Sequence, residues 1–300
     1  MNNKFDFSSK FRMANIFSLF IFISSIAFIL FKGLNYGIDF KGGTLIELRA
    51  NNTDAASIRS TLNSMNLGDV NVKKFGKEGD YLIKVEQKEN NDNKIIPLIK
   101  KKLSENLNTE TNFRRVENVG PKVSSELLQS GIIAISLSLA AMLFYIWIRF
   151  EWQFSIGSII ALFHDVVITM GIFSILSLEI NLSIIAAVLT IVGYSMNDTV
   201  VIYDRIRENL NKYTRLNISE IANLSINDTL ARTIITSATT LLALLSIFIL
   251  GGEILRGFSF AMILGVIIGT YSSMFVASPM LKFFKVTYKT LEKEEEKIVP

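Results

Sequence analysis

The sequence predicts a membrane-embedded α-helical protein in which six transmembrane helices carry one small α+β domain outside the bilayer. Half of the 300 residues are hydrophobic and only 19% are charged, whereas about a quarter of a soluble domain is charged. The apolar residues gather in six charge-poor blocks, and a spanning helix needs about 20 of them. One long polar stretch, 33–129, separates the first two blocks. These three observations exclude a soluble two-domain enzyme.

The rare residue types exclude further classes. The chain has no cysteine and a single histidine. It therefore has no disulfide scaffold, no thiolate nucleophile and no cysteine-based zinc site. One histidine also argues against a histidine-rich metal centre, so we predict neither a metal nor an organic cofactor.

The spans are predicted at 13–32, 130–148, 152–178, 180–203, 233–252 and 257–281. At 1.5 Å per residue, each can cross a hydrocarbon core of about 30 Å. The first has an uninterrupted apolar run of 19 residues, longer than the roughly 7–15 of a signal peptide, so we expect an uncleaved helix. In the last span, Gly265 and Gly269 form a small-xxx-small pattern that predicts a tight helix interface.

The positions of lysine and arginine predict the orientation, because these residues concentrate in cytoplasmic flanks. With the N-terminus inside, only Arg256 falls in the two short outer loops. The N-terminus 1–12, the loop 204–232 and the tail 282–300 are then cytoplasmic, as is the C-terminus. The net charge of +4 is thus explained by topology, and we expect no nucleic-acid partner. Fourteen basic residues fall in inner flanks: Lys4, Lys10, Arg12, Arg149, Arg205, Arg207, Lys212, Arg215, Arg232, Lys282, Lys285, Lys289, Lys293 and Lys297.

The polar stretch 33–129 predicts a ferredoxin-like domain with the order strand–helix–strand–strand–helix–strand. Strands are expected where apolar residues alternate, and helices where they recur every three or four positions. The strands are predicted at 44–49, 70–75, 81–85 and 112–119, and the helices at 54–65 and 93–107.

A glycine-rich motif follows the first span, with the sequence GIDFKGG at 37–43. Gly37, Gly42 and Gly43 permit positive φ and close backbone approach. The simplest interpretation is a turn that leads into the first strand, and whether Asp39 does more is left open. A second turn is expected at VGP, 119–121, before the second span.

Acidic or basic side chains deep inside the spans are restricted to His164, Asp165 and Asp198. An ionised carboxylate in hydrocarbon is costly, so such residues usually face a bundle interior and belong to ion or proton pathways. The alternative is a neutral aspartic acid that stabilises helix packing. Because Asn197 and Thr199 flank Asp198, we favour a functional role there. His164 and Asp165 are candidate supporting residues that either carry protons or brace the packing.

Arg232 is the candidate counter-charge for Asp198. It precedes the fifth span, and Asp198 lies five residues before the end of the fourth, about 8 Å from the same membrane face. An arginine side chain can extend along its helix, so the two charges could meet. The presence of an arginine at position 232 would also be explained by its place in a cytoplasmic flank alone, since basic residues concentrate there.

Several motifs resemble the SecF family of protein-export subunits, which is related to the RND transporters. The resemblance covers nearly the whole chain. It is carried by these motifs: GIDFKGG at 37–43, VGP at 119–121, HDV at 164–166, GYSMNDTVVIYDRIREN at 193–209, RTIITSATTL at 232–241 and GFSFAMILGVIIGTYSS at 257–273.

The resemblance implies an RND-like half-transporter in the bacterial inner membrane that is not an enzyme. Its partners would be a SecD-like subunit, the SecYEG channel and unfolded secreted polypeptides. It would use the proton gradient to promote the movement and release of these polypeptides. The family's proton-coupling residues correspond to Asp198 and Arg232.

Two alternatives remain from the residues alone. The first is half of an RND-like exporter of lipids or small molecules. The second is an intramembrane aspartyl protease that uses Asp165 and Asp198. Such a pair must share a proton, and helix rise separates these carboxylates by about 12 Å in depth, so we disfavour it.

Overall fold

The computed structural model describes residues 5–51, 53–65, 67–68, 70–74, 76–85, 92–107 and 111–295. Three of the positions named above, Lys4, Phe75 and Lys297, lie outside these ranges.

The first part of the chain builds one long helix and a small sheet domain. A short 3₁₀ turn (Ser8–Lys10) precedes the long helix. The elements that follow are α1 (Phe11–Lys32), β1 (Asn35–Tyr36), α2 (Ile38–Lys41), β2 (Gly43–Ala50), α3 (Ala55–Asn63), β3 (Val70–Lys74), β4 (Asp80–Val85), α4 (Asp92–Asn106) and β5 (Thr111–Val119).

The second part is almost entirely helical. Its elements are α5 (Pro121–Arg149), α6 (Trp152–Ile175), β6 (Glu179–Ile180), α7 (Leu182–Lys212), α8 (Ile218–Leu250), α9 (Gly252–Ser272), a π-helical turn (Ser273–Ala277), α10 (Ser278–Phe283) and α11 (Tyr288–Glu295).

Residues 43–119, which we call the α+β domain, form an antiparallel sheet with the order β3-β4-β2-β5. This is the strand order of a ferredoxin-like fold, so the predicted domain type is confirmed. Asp54 caps α3 by accepting a 2.8 Å hydrogen bond from the Ser57 N–H. Ile58 and Leu62 of α3 are fully buried, because helical spacing places them on the face that covers the sheet.

The strand β4 shows how the sheet presents two different faces. Tyr81, Ile83 and Val85 are buried in the core under α3 and α4. Because side chains alternate along a strand, Leu82 and Lys84 lie on the opposite face. That opposite face is directed toward the ends of the transmembrane helices, where it lines a cavity.

Among the described residues, six helices are long and apolar enough to cross a membrane, as predicted, but several extend beyond the predicted limits. The helix α5 begins at Pro121 rather than at 130, since proline fits the first helical position. The stretch 204–232, predicted as a loop, is helical except for residues 213–217. The helix α8 begins early because Asn217 and Glu220 form a capping box there.

The helices α6, α7 and α9 form the centre of the bundle. In the most apolar stretch of each of these three spans, at least half of the residues are buried, whereas the first, second and fifth spans are largely exposed. A Cβ added at Gly265 would overlap the Ile191 side chain, and one added at Gly269 would lie 2.9 Å from the Cβ of Ser195. The predicted tight helix interface is therefore confirmed, and it joins α9 to α7.

Candidate functional site

Two carboxyl groups lie inside the bundle, and their surroundings differ. Asp165 on α6 is 0% exposed and Asp198 on α7 is 3% exposed. Asp165 accepts hydrogen bonds from the hydroxyls of Ser195 at 2.6 Å and Ser272 at 2.7 Å. Its other oxygen lies 2.9 Å from Nδ1 of His164. Three polar partners satisfy this carboxylate, as a buried anion requires.

Asp198 is much less well bonded. Its hydrogen-bond partner within the described ranges is the Thr270 hydroxyl, at a long 3.5 Å. The Thr270 hydroxyl also lies 2.7 Å from that of Ser237 on α8. A buried carboxylate with a single weak donor is poorly stabilised as an anion. Asp198 is therefore better suited than Asp165 to exist as a neutral acid.

A short polar segment of the last span, residues 269–273, contacts both carboxyl groups. Thr270 bonds to Asp198 and Ser272 bonds to Asp165. Ser273 lies 2.8 Å from the Thr199 hydroxyl and begins the π-helical turn. Such turns inside α-helices frequently mark functional sites. No hydrogen bond joins the two carboxyl groups in the part of the chain that the structure describes, so the arrangement does not resemble an aspartyl dyad.

Arg232 and Asn197 lie on the outside of the bundle. Arg232 is exposed near the middle of α8. Among the described residues, no ion pair joins Arg232 to Asp198, so the direct meeting that we considered is not present in this conformation. Asn197 is exposed while its neighbour Thr199 is buried, so of the two flanking residues only Thr199 belongs to the buried network.

His164 is buried, with 6% of its surface exposed. Its ring stacks on Phe22 of α1, with 6.1 Å between centroids and an interplanar angle of 8°. Nδ1 faces Asp165, whereas Nε2 has no hydrogen-bond partner among the described residues.

The glycine-rich motif makes contacts that a simple turn would not require. The residues 35–39 dock against 177–182, and we call this contact the outer clamp. The strands β1 and β6 pair in parallel within it, and the Gly37 N–H donates to the Ile180 carbonyl at 2.8 Å. Asp39 accepts a 2.9 Å hydrogen bond from the Leu182 N–H, the first residue of α7. Asp39 therefore holds the end of the helix that carries Asp198.

Two glycines of the motif are explained by backbone geometry. Gly42 and Gly43 have φ of 80° and 133°, values that favour glycine. A Cβ on Gly42 would also lie 3.4 Å from the Cα of Pro121, where α5 starts. The expected turn into the first strand is present, with the one-turn helix α2 inside it.

The α+β domain is also attached to the outer clamp by an ion pair between Lys84 on β4 and Glu179 on β6. Between the sheet and the helix ends lies a cavity of about 1000 Å³. Its sheet side includes the charged residues Glu47 and Arg115, and the side of the helix ends combines apolar residues such as Phe173 with charged ones such as Arg256.

The single sequence did not reveal Ser195, Thr270, Ser272 or the outer clamp. The only available signal for the hydroxyl residues was their place in the motifs at 193–209, which contains Ser195, and 257–273, which contains Thr270 and Ser272. No three histidine, aspartate or glutamate side chains converge as a metal site in the described ranges.

The fold and the buried carboxyl groups together define a class: a polytopic membrane protein of transporter type with an α+β domain between its first two spans. Residues 99–287 match the family model described as protein export membrane protein SecD/SecF, C-terminal. Residues 27–54, which include the glycine-rich motif 37–43, match the SecD/SecF GG motif. The chain belongs to the SecD/SecF family of protein-export membrane proteins, which are multi-pass proteins of the inner membrane.

Individual relatives support the same family. The chain is 47% identical over 282 residues to the protein translocase subunit SecF of Rickettsia bellii, covering 93% of each chain. It is 46% identical over 294 residues to that of Rickettsia rickettsii, covering 96% of each. The crystal structure of SecDF from Thermus thermophilus, described as a translocon-associated membrane protein, matches with a TM-score of 0.86 and 36% identity over 95% of this chain. The chain spans 39% of that larger protein.

Proposed function

We propose that this chain is the SecF-type subunit of a protein-export complex, and that proton binding at Asp198 drives movement of the α+β domain. The observation that carries the proposal is the state of Asp198, a buried carboxyl group with one weak hydrogen bond. Burial favours the neutral acid, and the positive charge of Arg232 favours the carboxylate. A group balanced between two opposing influences can change its protonation as the surroundings change.

The orientation follows from the same proposal. With both termini in the cytoplasm, the α+β domain lies on the outer side, where secreted chains emerge. The contact of the N-terminal segment with the start of α8 is consistent with one common side. There the Phe5 and Phe7 N–H groups donate to Asn227 and Asn223, at 2.8 and 2.7 Å.

The helix α7 is the mechanical link in this proposal. Asp198 lies 16 residues from Leu182 in the sequence, a distance of about 24 Å along the helix axis. At Leu182, Asp39 connects the helix end to the glycine-rich motif, and the Lys84–Glu179 ion pair connects the outer clamp to β4. A displacement of α7 at Asp198 thus pulls on the outer clamp, which opens and lets the α+β domain move.

The driving force would come from the proton gradient, because one charge moved across 100 mV releases about 2.3 kcal/mol. Protonation of Asp198 removes its attraction for Arg232 and changes how α7 packs against α8 and α9. The α+β domain then shifts and holds or releases an unfolded secreted polypeptide. The cavity of about 1000 Å³, lined by both charged and apolar residues, suits a chain of mixed composition.

The partners that fit this role are a SecD-type subunit and the SecYEG channel. Asn197 supports a membrane partner, because an exposed amide inside a span is costly in lipid. We therefore expect the SecD-type subunit to cover the face of α7 that carries Asn197. The alternative of an RND-like exporter of lipids or small molecules has no comparable support, since the relatives are named as protein translocase subunits.

The test is gradient-driven export in proteoliposomes that contain the complex of this chain with its SecD-type subunit and the channel. Asp198→Asn should abolish the response of export to an imposed proton gradient while the complex still assembles. The matched control is Asp204→Asn, since Asp204 lies on the same helix but is exposed and pairs with Arg149 at 2.7 Å. Export that still responds fully to the gradient in Asp198→Asn would refute the proposal.

A further inference from the structure

A second titratable group lies in the bundle, and the coupling role of Asp198 does not use it. The imidazole of His164 and the carboxylate of Asp165 touch on adjacent positions of α6, with 2.9 Å between Nδ1 and Oδ1. Two hydroxyl groups, of Ser195 and Ser272, donate to this carboxylate, which identifies Asp165 as the anionic partner. Nδ1 is then the protonated ring nitrogen, because a bare nitrogen would repel the carboxylate oxygen.

Nε2 of His164 is the unsatisfied atom of this group. It is buried and has no hydrogen-bond partner among the described residues. With Nδ1 protonated, Nε2 carries a free lone pair, and every other polar atom of the cluster is occupied. The stacked ring of Phe22 can accommodate a cation, since aromatic faces attract positive charge.

We propose that His164 and Asp165 form a second proton-binding site within the spans, in which Nε2 accepts the proton. An O–H bond of the donor, a hydronium ion or a protonated carboxyl group, breaks, and an N–H bond forms from the ring lone pair. The charge of the pair changes from −1 to 0, and no electron is transferred. A His164–Asp165 pair with zero net charge is favoured over one with a charge of −1 in a medium of low dielectric.

The surrounding groups allow this site to respond to Asp198. The titratable side chains of α7 within the span are Tyr194, Asp198 and Tyr203, and α9 contributes Tyr271. Of the other elements packed against α6, α1 and α10 carry charges only in their terminal turns and the π-helical turn carries none, whereas α5 has charges in its first two turns and at Arg149, and the titratable Tyr145. Asp198 is the acidic group that is linked to this site through one segment of α9, in which Thr270 bonds to Asp198 and Ser272 bonds to Asp165.

Ser272 offers a way to adjust the site. Its hydroxyl has two acceptors, Asp165 Oδ2 at 2.7 Å and the Gly269 carbonyl at 3.1 Å. A hydroxyl carries one proton, so Ser272 can turn from the carboxylate to its own helix when the pair becomes neutral. This second site deepens the proton coupling proposed above and rests on it for its use in export.

The test exploits the fact that His164 is the chain's single histidine. In the full chain in lipid nanodiscs, labelled with ¹⁵N-histidine, the nitrogen spectrum reports His164 alone. As the pH falls from about 9 to about 5, the range in which histidine normally titrates, the Nε2 resonance should move from the unprotonated to the protonated position. An Nε2 that stays unprotonated throughout, or a Nδ1 that is the bare nitrogen, would overturn the proposal.

Two variants sharpen the result. Asp165→Asn should move the midpoint of the His164 titration to lower pH, because the anionic partner of the ring is lost. Ser272→Ala should move it to higher pH, because the anion loses a donor and is neutralised more readily. Ser246→Ala is the matched control, since Ser246 is exposed on α8 and bonds to the Leu242 carbonyl of its own helix; it should leave the midpoint unchanged.

The two proposals fail separately. If His164 titrates but export in Asp198→Asn keeps its response to the gradient, the proposed function is wrong and the second site stands. If His164 does not titrate while Asp198→Asn abolishes that response, only the second site is wrong.

Discussion

Replacement of Asp39 by alanine should loosen the outer end of α7, because Asp39 is the link between the glycine-rich motif and this helix. The carboxylate accepts a 2.9 Å hydrogen bond from the first N–H of α7, and a negative charge is favourable at a helix N-terminus. Asn181 also caps the helix by accepting from the Ile184 N–H at 3.1 Å. The helix should therefore persist in the variant while its first turn opens more often.

The expected size of the effect on the start of α7 follows from the loss of one capping side chain. Truncation of a capping side chain to alanine costs about 0.5–2 kcal/mol. For amides that exchange through local opening, this corresponds to about a 2-fold to about a 30-fold faster exchange. Asp39→Asn keeps an oxygen acceptor and loses only the charge, so its effect should be smaller, since the interaction with the helix dipole is worth about 0.3–1 kcal/mol.

The assay is hydrogen exchange measured by mass spectrometry on the full chain in nanodiscs. Asp54→Ala is the matched control, because Asp54 caps α3 by the same kind of bond, at 2.8 Å, far from α7 in the sequence. It should accelerate exchange at the start of α3 and leave the start of α7 unchanged. If Asp39→Ala leaves the exchange of residues 182–185 at the wild-type rate, the mechanical link through Asp39 is refuted.

Two further predictions concern packing and pH. Gly265→Ala should lower the thermal unfolding midpoint, since the new Cβ overlaps Ile191 and overpacking costs about 1–3 kcal/mol. Gly193→Ala, in the neighbouring span with nothing within 4 Å of the new Cβ, should leave the midpoint equal or higher; the reverse order would contradict the α7–α9 interface. In the α+β domain, the Arg49 guanidinium, at 2.6 Å, holds the pKa of the Asp80 carboxyl below its ordinary value, with a smaller effect of Arg114. This contribution to stability is fully present above the unfolded pKa of about 3.9 and is lost as the pH falls through the lowered folded pKa. Calorimetry should show this acid sensitivity weakened in Asp80→Asn, and an unchanged pH profile would argue against the Arg49–Asp80 pair.

The ferredoxin-like domain could be predicted from the sequence because its signals are local. Alternation of apolar residues in 81–85 and their recurrence every three or four positions in 54–65 each specify one element, and the order of elements then specifies the sheet. Spans are equally local, since hydropathy alone identifies them. The ends of α7 and α8 were missed because the spans were predicted from charge-free runs, whereas the mixed apolar and charged residues of 204–232 indicate a short amphipathic helix and do not show that it continues the spans.

The site was predicted only in part because it depends on which helix faces meet. Asp198 and Asp165 stand out as charges in apolar blocks. Nothing in one sequence shows that Thr270 and Ser272 lie against these two carboxyl groups, or that Asp39 reaches Leu182 across 143 positions. Arg232 was considered as a counter-charge that could meet Asp198, whereas no ion pair joins the two side chains among the described residues.

The most direct test of the account is whether the outer clamp responds to the protonation of Asp198. Tyr36 and Ile180 are opposite residues of the β1–β6 pair. Adjacent strands lie about 4.8 Å apart, within the range of about 4.4–6.8 Å that a disulfide requires. Because the chain has no cysteine, Tyr36→Cys combined with Ile180→Cys introduces the only thiols.

Cross-linking of this pair should be measured in vesicles with and without an imposed proton gradient, in otherwise wild-type protein and in an Asp198→Asn background. The account predicts that the gradient lowers the cross-linking yield in the first protein and leaves it unchanged in the second. A yield that falls equally in both backgrounds would contradict the claim that Asp198 controls the α+β domain.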